Sequence, residues 1–266
     1  MIIIGERINS TRRAIQEAIK DRNAALIAKE ARSQIDAGAD FIDVNCAVTS
    51  GDELQDIDWV LSVVQSEIPD VSICIDSPSH RAIERALSVY RAKGSVMVNS
   101  ITAEEARIKN ILPIAIKYKT KLIALTMDER GMPETAKDRF EIAKKIFERV
   151  RRDGFNTADL YFDPLVRPIS TEPQQAKEFL GSIKLIKALG DVKTICGLSN
   201  VSFGLPNRSL INSTFLSMAI ALGLDAAIID PLDKNMVSSL RSANALLGMD
   251  EYCGEYIKAF RAGKLV

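Results

Sequence analysis

SICIDSPSHRAIERALSVYRAKGSVMVNS, residues 72–100, decides the fold. Two short apolar runs, SICIDS (72–77) and SVMVNS (95–100), each end in polar residues, and the segment between them reads as a helix opened by His80. The same unit repeats in both directions, through IIIGER (2–7), FIDVN (41–45), LIALTMD (122–128), LYFDP (160–164), TICGLSN (194–200) and AAIIDP (226–231). The runs are continuously apolar rather than alternating, as in a parallel sheet covered by helices. Eight β/α units with no GxGxxG after the first run predict a (β/α)8 TIM barrel, not a doubly wound sheet. A core strand has no structural use for a polar residue at its C-terminal end, and in such a barrel that end is where the active site is built. Glu6, Asn9, Asp43, Asn45, Asp76, Asn99, Asp128, Asp163, Asn200 and Asp230 are therefore expected to ring one mouth.

At 266 residues the chain has the usual length of one barrel, and a single domain over 1–266 is expected. Lys+Arg and Asp+Glu balance at 35 each, so no net field favours nucleic acid or an anionic membrane. No run approaches the roughly 20 apolar residues of a spanning helix. The N-terminus enters an apolar strand directly, without a secretory leader, and a cytoplasmic location is expected. Cys46, Cys74, Cys196 and Cys253 form no CxxC pair and match no zinc spacing, so neither disulfides nor a protein-bound metal is expected. The only histidine, His80, leaves no His-rich metal site.

Residues 52–68 and 173–189 carry helical apolar spacing, the first opening on Asp52 and Glu53, the second after Pro173. Gly38 and Gly223 stand as helix-ending glycines before a strand. Loops 167–172 and 201–209 are the longest expected connections at the polar mouth, where such loops hold substrate. The tail 249–261, with Tyr252, Tyr256, Ile257 and Phe260, reads as an extra amphipathic helix that covers the barrel or joins an oligomer interface.

Asp76, Asn99 and Asp163 lie on runs three, four and six, so they can converge on one cavity. Carboxylates accept hydrogen bonds, while an amide both donates and accepts. Two Asp and one Asn thus match the amino-pyrimidine edge of a flat heterocycle without a metal. The alternative for each is a strand cap bonded to loop backbone.

GERIN (5–9), DVN (43–45), CIDS (74–77), VNS (98–100), LTMD (125–128), YFDP (161–164), GLSNVSFG (197–204) and NRSLINSTFL (207–216) resemble, in order and over essentially the whole chain, the pterin-binding TIM-barrel family. Within it they look most like methyltetrahydrofolate:corrinoid (iron-sulfur) protein methyltransferases. The resemblance implies that Asp76, Asn99 and Asp163 hydrogen-bond the pterin ring. It implies that Asn200 contacts the N5 region bearing the methyl group, and that Arg208 lies on the folate or cobalamin side. Glu6, Asn9, Asp43, Asn45 and Ser100 match further motif positions. Phe203 departs from the pattern, standing where acetogenic members often carry Gln, which bears on the identity of the corrinoid partner. A homodimer is also implied.

Methyl transfer from a tertiary amine to Co(I) is an SN2 displacement in which N5 leaves well only with a proton or a strong hydrogen bond. The cobalt is the nucleophile, so the protein's tasks are positioning and stabilisation of the leaving nitrogen. Catalytic roles are thus expected for Asn200 and Asp163. The chain has no Asp-x-His-x-x-Gly corrinoid motif, its one His lying in SPSHRAIE (77–84), so the corrinoid is expected on a separate protein. Two alternatives are a dihydropteroate synthase and a non-catalytic pterin-binding or corrinoid-docking subunit. Against the first, NSTRRAIQ (9–16) replaces the Asn-Thr-Pro-Asp-Ser-Phe-like stretch, and NVSFG (200–204) follows run seven. Against the second stands the intact polar pocket.

Overall fold

The computed structural model describes residues 1–48 and 51–266. Eight strands form: β1 (Ile2–Asn9), β2 (Phe41–Asn45), β3 (Ile73–Asp76), β4 (Val96–Ile101), β5 (Lys121–Leu125), β6 (Leu160–Asp163), β7 (Lys193–Gly197) and β8 (Ala226–Ile229). They close in chain order into one barrel, every pair parallel, with β8 beside β1. The expected (β/α)8 barrel is the observed one.

Strand periodicity explains how the polar residues come to share a mouth. Each strand gives one residue to a buried layer inside the barrel: Ile4, Phe41, Cys74, Met97, Ile123, Tyr161, Ile195 and Ala226. Two positions later stand Glu6, Asp43, Asp76, Asn99 and Asp163 on their respective strands. Side chains two apart on a strand share a face. These five therefore point inward, one step nearer the C-terminal mouth. The intervening residues, among them Ile42, Val44, Ile73, Ile75, Val98 and Phe162, pack outward in the core beneath the helices.

Two helices, α1 (Arg13–Lys20) and α2 (Ala24–Asp36), lie in the first connection. The next are α3 (Glu53–Glu67), α4 (His80–Val89), α5 (Glu105–Tyr118), α6 (Ala136–Arg152), α7 (Gln175–Lys187), α8 (Arg208–Ala221), α9 (Lys234–Leu246) and the C-terminal α10 (Gly254–Arg261). Asp52 caps α3 by accepting from Leu54 N, and Ser79 caps α4 by accepting from Ala82 N. Gly38 and Gly223 end α2 and α8 in the left-handed region, at φ +103° and +99°, where a Cβ would be strained. The helix α7 starts two residues beyond Pro173. The tail forms α10 against α9 but leaves Tyr252 90% and Phe260 69% exposed, so these rings do not cover the barrel. Among the described residues no helix is long and apolar enough to cross a membrane.

Candidate active site

The mouth is organised from β2 and β3 outward. Asn45 Oδ1 accepts from Ser10 Oγ at 3.2 Å and Ala47 N at 3.0 Å. These contacts orient its amide so that Nδ2 donates to Asp76 Oδ2 at 2.8 Å. Asp76 is the register partner of Asn99 on β4, so the two side chains stand side by side. Burial pushes the Asp76 carboxyl above its usual range, opposed by the Asn45 donor and the charge of Arg107. Arg107 in turn donates to Ser100 O at 2.5 Å, fixing the backbone just past Asn99, where the Ser100 side chain is buried.

Asp163 enters from β6. Its Oδ1 accepts from Leu165 N at 2.7 Å. Burial pushes its pKa up to about 6, against the backbone amides of Leu165 and Gly197 and the charge of Arg139. Asp43 lies deeper, 2% exposed, and among the described residues its Oδ1 has no hydrogen-bond partner. Burial, then the charge of Asp76, holds its pKa well above the usual value, while the Cys74 thiol donates to it.

On the other side of the mouth, a 3-10 turn (Leu198–Ser202) carries Asn200 into solvent. Gly197 precedes the turn, and a Cβ there would lie 3.6 Å from Asn200 Nδ2. Arg208, first residue of α8, braces the turn from behind: Nε donates to Ser202 Oγ at 2.9 Å and Nη2 to Ser199 O at 2.5 Å. Ser199 Oγ donates to Glu6 Oε1 at 3.0 Å across the β1–β7 gap. Burial raises the Glu6 pKa against that bond, with Asp230 adding to the rise. Glu6, Ser199, Arg208, Asn212, Asp230 and Asp233 line a side cleft of about 260 Å³. The loops after β6 and β7 hold each other, through Ile169 N to Val201 O at 3.1 Å and Ser170 Oγ to Phe203 O at 2.7 Å.

Three residues of the expected ring have local partners. Asn9 Oδ1 accepts from Thr11 N and Oγ1 at the approach to α1, Asp128 pairs with Arg130 at 2.8 Å, and Asp230 takes Arg7 at 2.7 Å. A polar residue at a strand end has loop backbone and neighbouring guanidinium groups within reach as partners. Sequence reasoning missed Ser199, Arg107 and Arg139. Only Arg139 carried a signal, an arginine on the apolar stripe Ile142, Ala143, Ile146 and Val150 of α6. Among the described residues no group of three or more His, Cys, Asp or Glu is arranged to hold a metal ion.

A parallel barrel with carboxylates and amides converging at its C-terminal mouth is an architecture suited to a flat, hydrogen-bonding heterocycle. The profile described as pterin binding enzyme matches residues 5–230, and the chain belongs to that family. It is 34% identical over 269 residues to the methylcorrinoid:tetrahydrofolate methyltransferase of Eubacterium limosum, covering 100% of this chain and 98% of that protein. Identity to the methionine synthase of Mycobacterium tuberculosis is 27% over 245 residues, 86% of this chain but only 20% of that longer protein. Among solved structures, the fold is like dihydropteroate synthase from Yersinia pestis, with TM-score 0.66, 18% identity and 93% of each chain covered. It is also like the synthase from Stenotrophomonas maltophilia, with TM-score 0.68, 16% identity and 92% of each chain covered. At those identities the likeness is one of fold.

Proposed function

We propose that the chain is a methyltransferase that moves the N5-methyl group of methyltetrahydrofolate to or from the cobalt of a corrinoid carried on a separate protein. The observation that carries this reading is the end-to-end match, 34% identical, to a methylcorrinoid:tetrahydrofolate methyltransferase. The donor set supports it. Asp76 and Asp163 offer acceptors to the N–H groups of the pterin, and Asn99 offers an amide to its carbonyl. Asn45 holds Asp76 in place.

The corrinoid supplies the cobalt that accepts or gives the methyl group. The chain's own contribution is at the nitrogen. Asn200, on its braced turn, contacts N5 and stabilises it as its bond to the methyl group breaks, while Asp163 fixes the ring that N5 belongs to. Arg208 acts through the turn, and Glu6 anchors the turn to β1 through Ser199. Around the mouth, Val48, Met132, Phe203 and Leu232 stand 50%, 54%, 63% and 42% exposed on four different βα loops, an apolar rim suited to a docking corrinoid protein.

Mixing the protein with methyltetrahydrofolate and Co(I) cobalamin should give the absorption spectrum of methylcobalamin, and methylcobalamin with tetrahydrofolate should give the reverse change. Folded protein that binds folate and changes neither spectrum would favour a non-catalytic pterin-binding subunit.

A further inference from the structure

Arg139 is fully buried, at 0% exposure, on α6. Its guanidinium is held by uncharged acceptors: Nε donates to Pro164 O at 2.6 Å and Nη1 to Glu134 O at 3.0 Å, while Nη2 reaches Gln175 Oε1 at 2.6 Å and Leu165 O at 3.4 Å. A buried cation without a contacting carboxylate is costly, and such charges are ordinarily paired. Four charged groups face it: Glu178 from α7, Arg167 and Glu172 from the loop after β6, and Asp163 from β6. Arg167 and Glu172 pair with each other, and Glu178 accepts from Ala136 N at the start of α6. Glu178 is the strongest of the carboxylate influences on Arg139, and Asp163 is the one that also stands in the pocket, where it is buried.

Backbone geometry joins the two. Leu165 donates from its N to Asp163 Oδ1 and accepts at its O from Arg139, and it is held at φ +64°, a region that leucine rarely adopts. A fork of fixed donors suits this task, since it can take two adjacent carbonyls and a side-chain amide at once.

We propose that Arg139 is a positioning residue for methyl transfer, which from outside the pocket fixes the Pro164–Leu165 turn against Asp163 and keeps that carboxylate charged toward the pterin. The proposal rests on the folate reading above. Arg139 touches no substrate and acts only through Asp163, so its effect is on the charge state of the pocket at a given pH.

The test reads the pH midpoint of methyltetrahydrofolate binding between pH 5 and 8 by calorimetry, where the ligand's own titration is common to all variants. In the wild type, affinity should fall as pH drops through the Asp163 pKa of about 6. Gln175→Glu keeps the acceptor against Arg139 but neutralises its charge, and Arg139→Gln removes the charge while leaving an amide for the carbonyls. Both should move the midpoint upward by about 1 pH unit, the low end of the effect of one nearby opposite charge. Arg139→Lys keeps the charge and should leave the midpoint near the wild-type value. A folded Gln175→Glu or Arg139→Gln protein with an unmoved midpoint overturns the proposal, as does an Arg139→Lys shift as large as that of Arg139→Gln. Wild-type protein that binds no folate at any pH overturns the parent reading instead.

Discussion

At Asp163 the needs of binding and of stability oppose each other. Its pKa is raised from 3.8 to about 6 by burial, so the folded state prefers the protonated form. The stabilisation from that proton is complete below about pH 3.8 and is lost as pH rises through about 6. Asp163→Asn, uncharged throughout, should therefore melt higher than wild type at pH 8 and show no such advantage at pH 4. Each pKa unit is worth ~1.4 kcal/mol, which sets a ceiling of roughly 3 kcal/mol on the gain at pH 8. Paired melts at the two pH values check this, and a lower melting temperature at pH 8 contradicts it. Asp76→Ala and Asn99→Ala should weaken folate binding by about 1–3 kcal/mol, the cost of leaving a buried partner unpaired, with little loss of stability. Calorimetry with wild-type affinities would remove both from the pocket. Asn200→Ala should behave differently. A bond that strengthens at the transition state lowers kcat and kcat/KM together, so transfer should slow at least about tenfold with a smaller change in folate Kd.

The 3-10 turn Leu198–Ser202 is the element on which the rate should depend most. Arg208→Met removes two donations that brace it. Single-turnover transfer should slow while pterin affinity changes little, at a stability cost of about 1–3 kcal/mol. Equal losses in affinity and rate would place Arg208 against the folate itself. Elements of this kind differ in how far a sequence reveals them. The strands were legible because each is an apolar run that ends in polar residues, Asp43, Asp76, Asn99 and Asp163 among them. The short helix α1 was not. It starts after Arg12, which makes no side-chain cap bond, while the residues of cap type, Asn9, Ser10 and Thr11, stand earlier in NSTRRAIQ. Nor did Asn9 or Asp230 announce their local partners, because residue type at a strand end does not say which neighbour claims the oxygen. The brace from Arg208 to Ser199 and Ser202 depends on a turn geometry that no periodicity encodes.

For the whole molecule, the prediction about assembly concerns α9 and α10. Leu246, Tyr252 and Phe260 stand 86%, 90% and 69% exposed at this end of the chain, an apolar surface of the sort that marks an interface. We expect a homodimer, and Tyr252→Glu with Phe260→Glu should dissociate it. Sedimentation of the wild type as a 29.3 kDa species at micromolar concentration would exclude the dimer. The pairing of β8 with β1 has a consequence for how the enzyme comes into being. Ser199 reaches Glu6 across 193 positions, and Arg7 reaches Asp230 across 223. A ribosome releases β1 before β8, so the growing chain holds β1 unpaired on one side until β8 emerges. A polypeptide stopped before residue 226 has two open sheet edges and no completed mouth. Chains stopped before β8 should therefore fail to hold folate, and calorimetry on such truncated chains checks this.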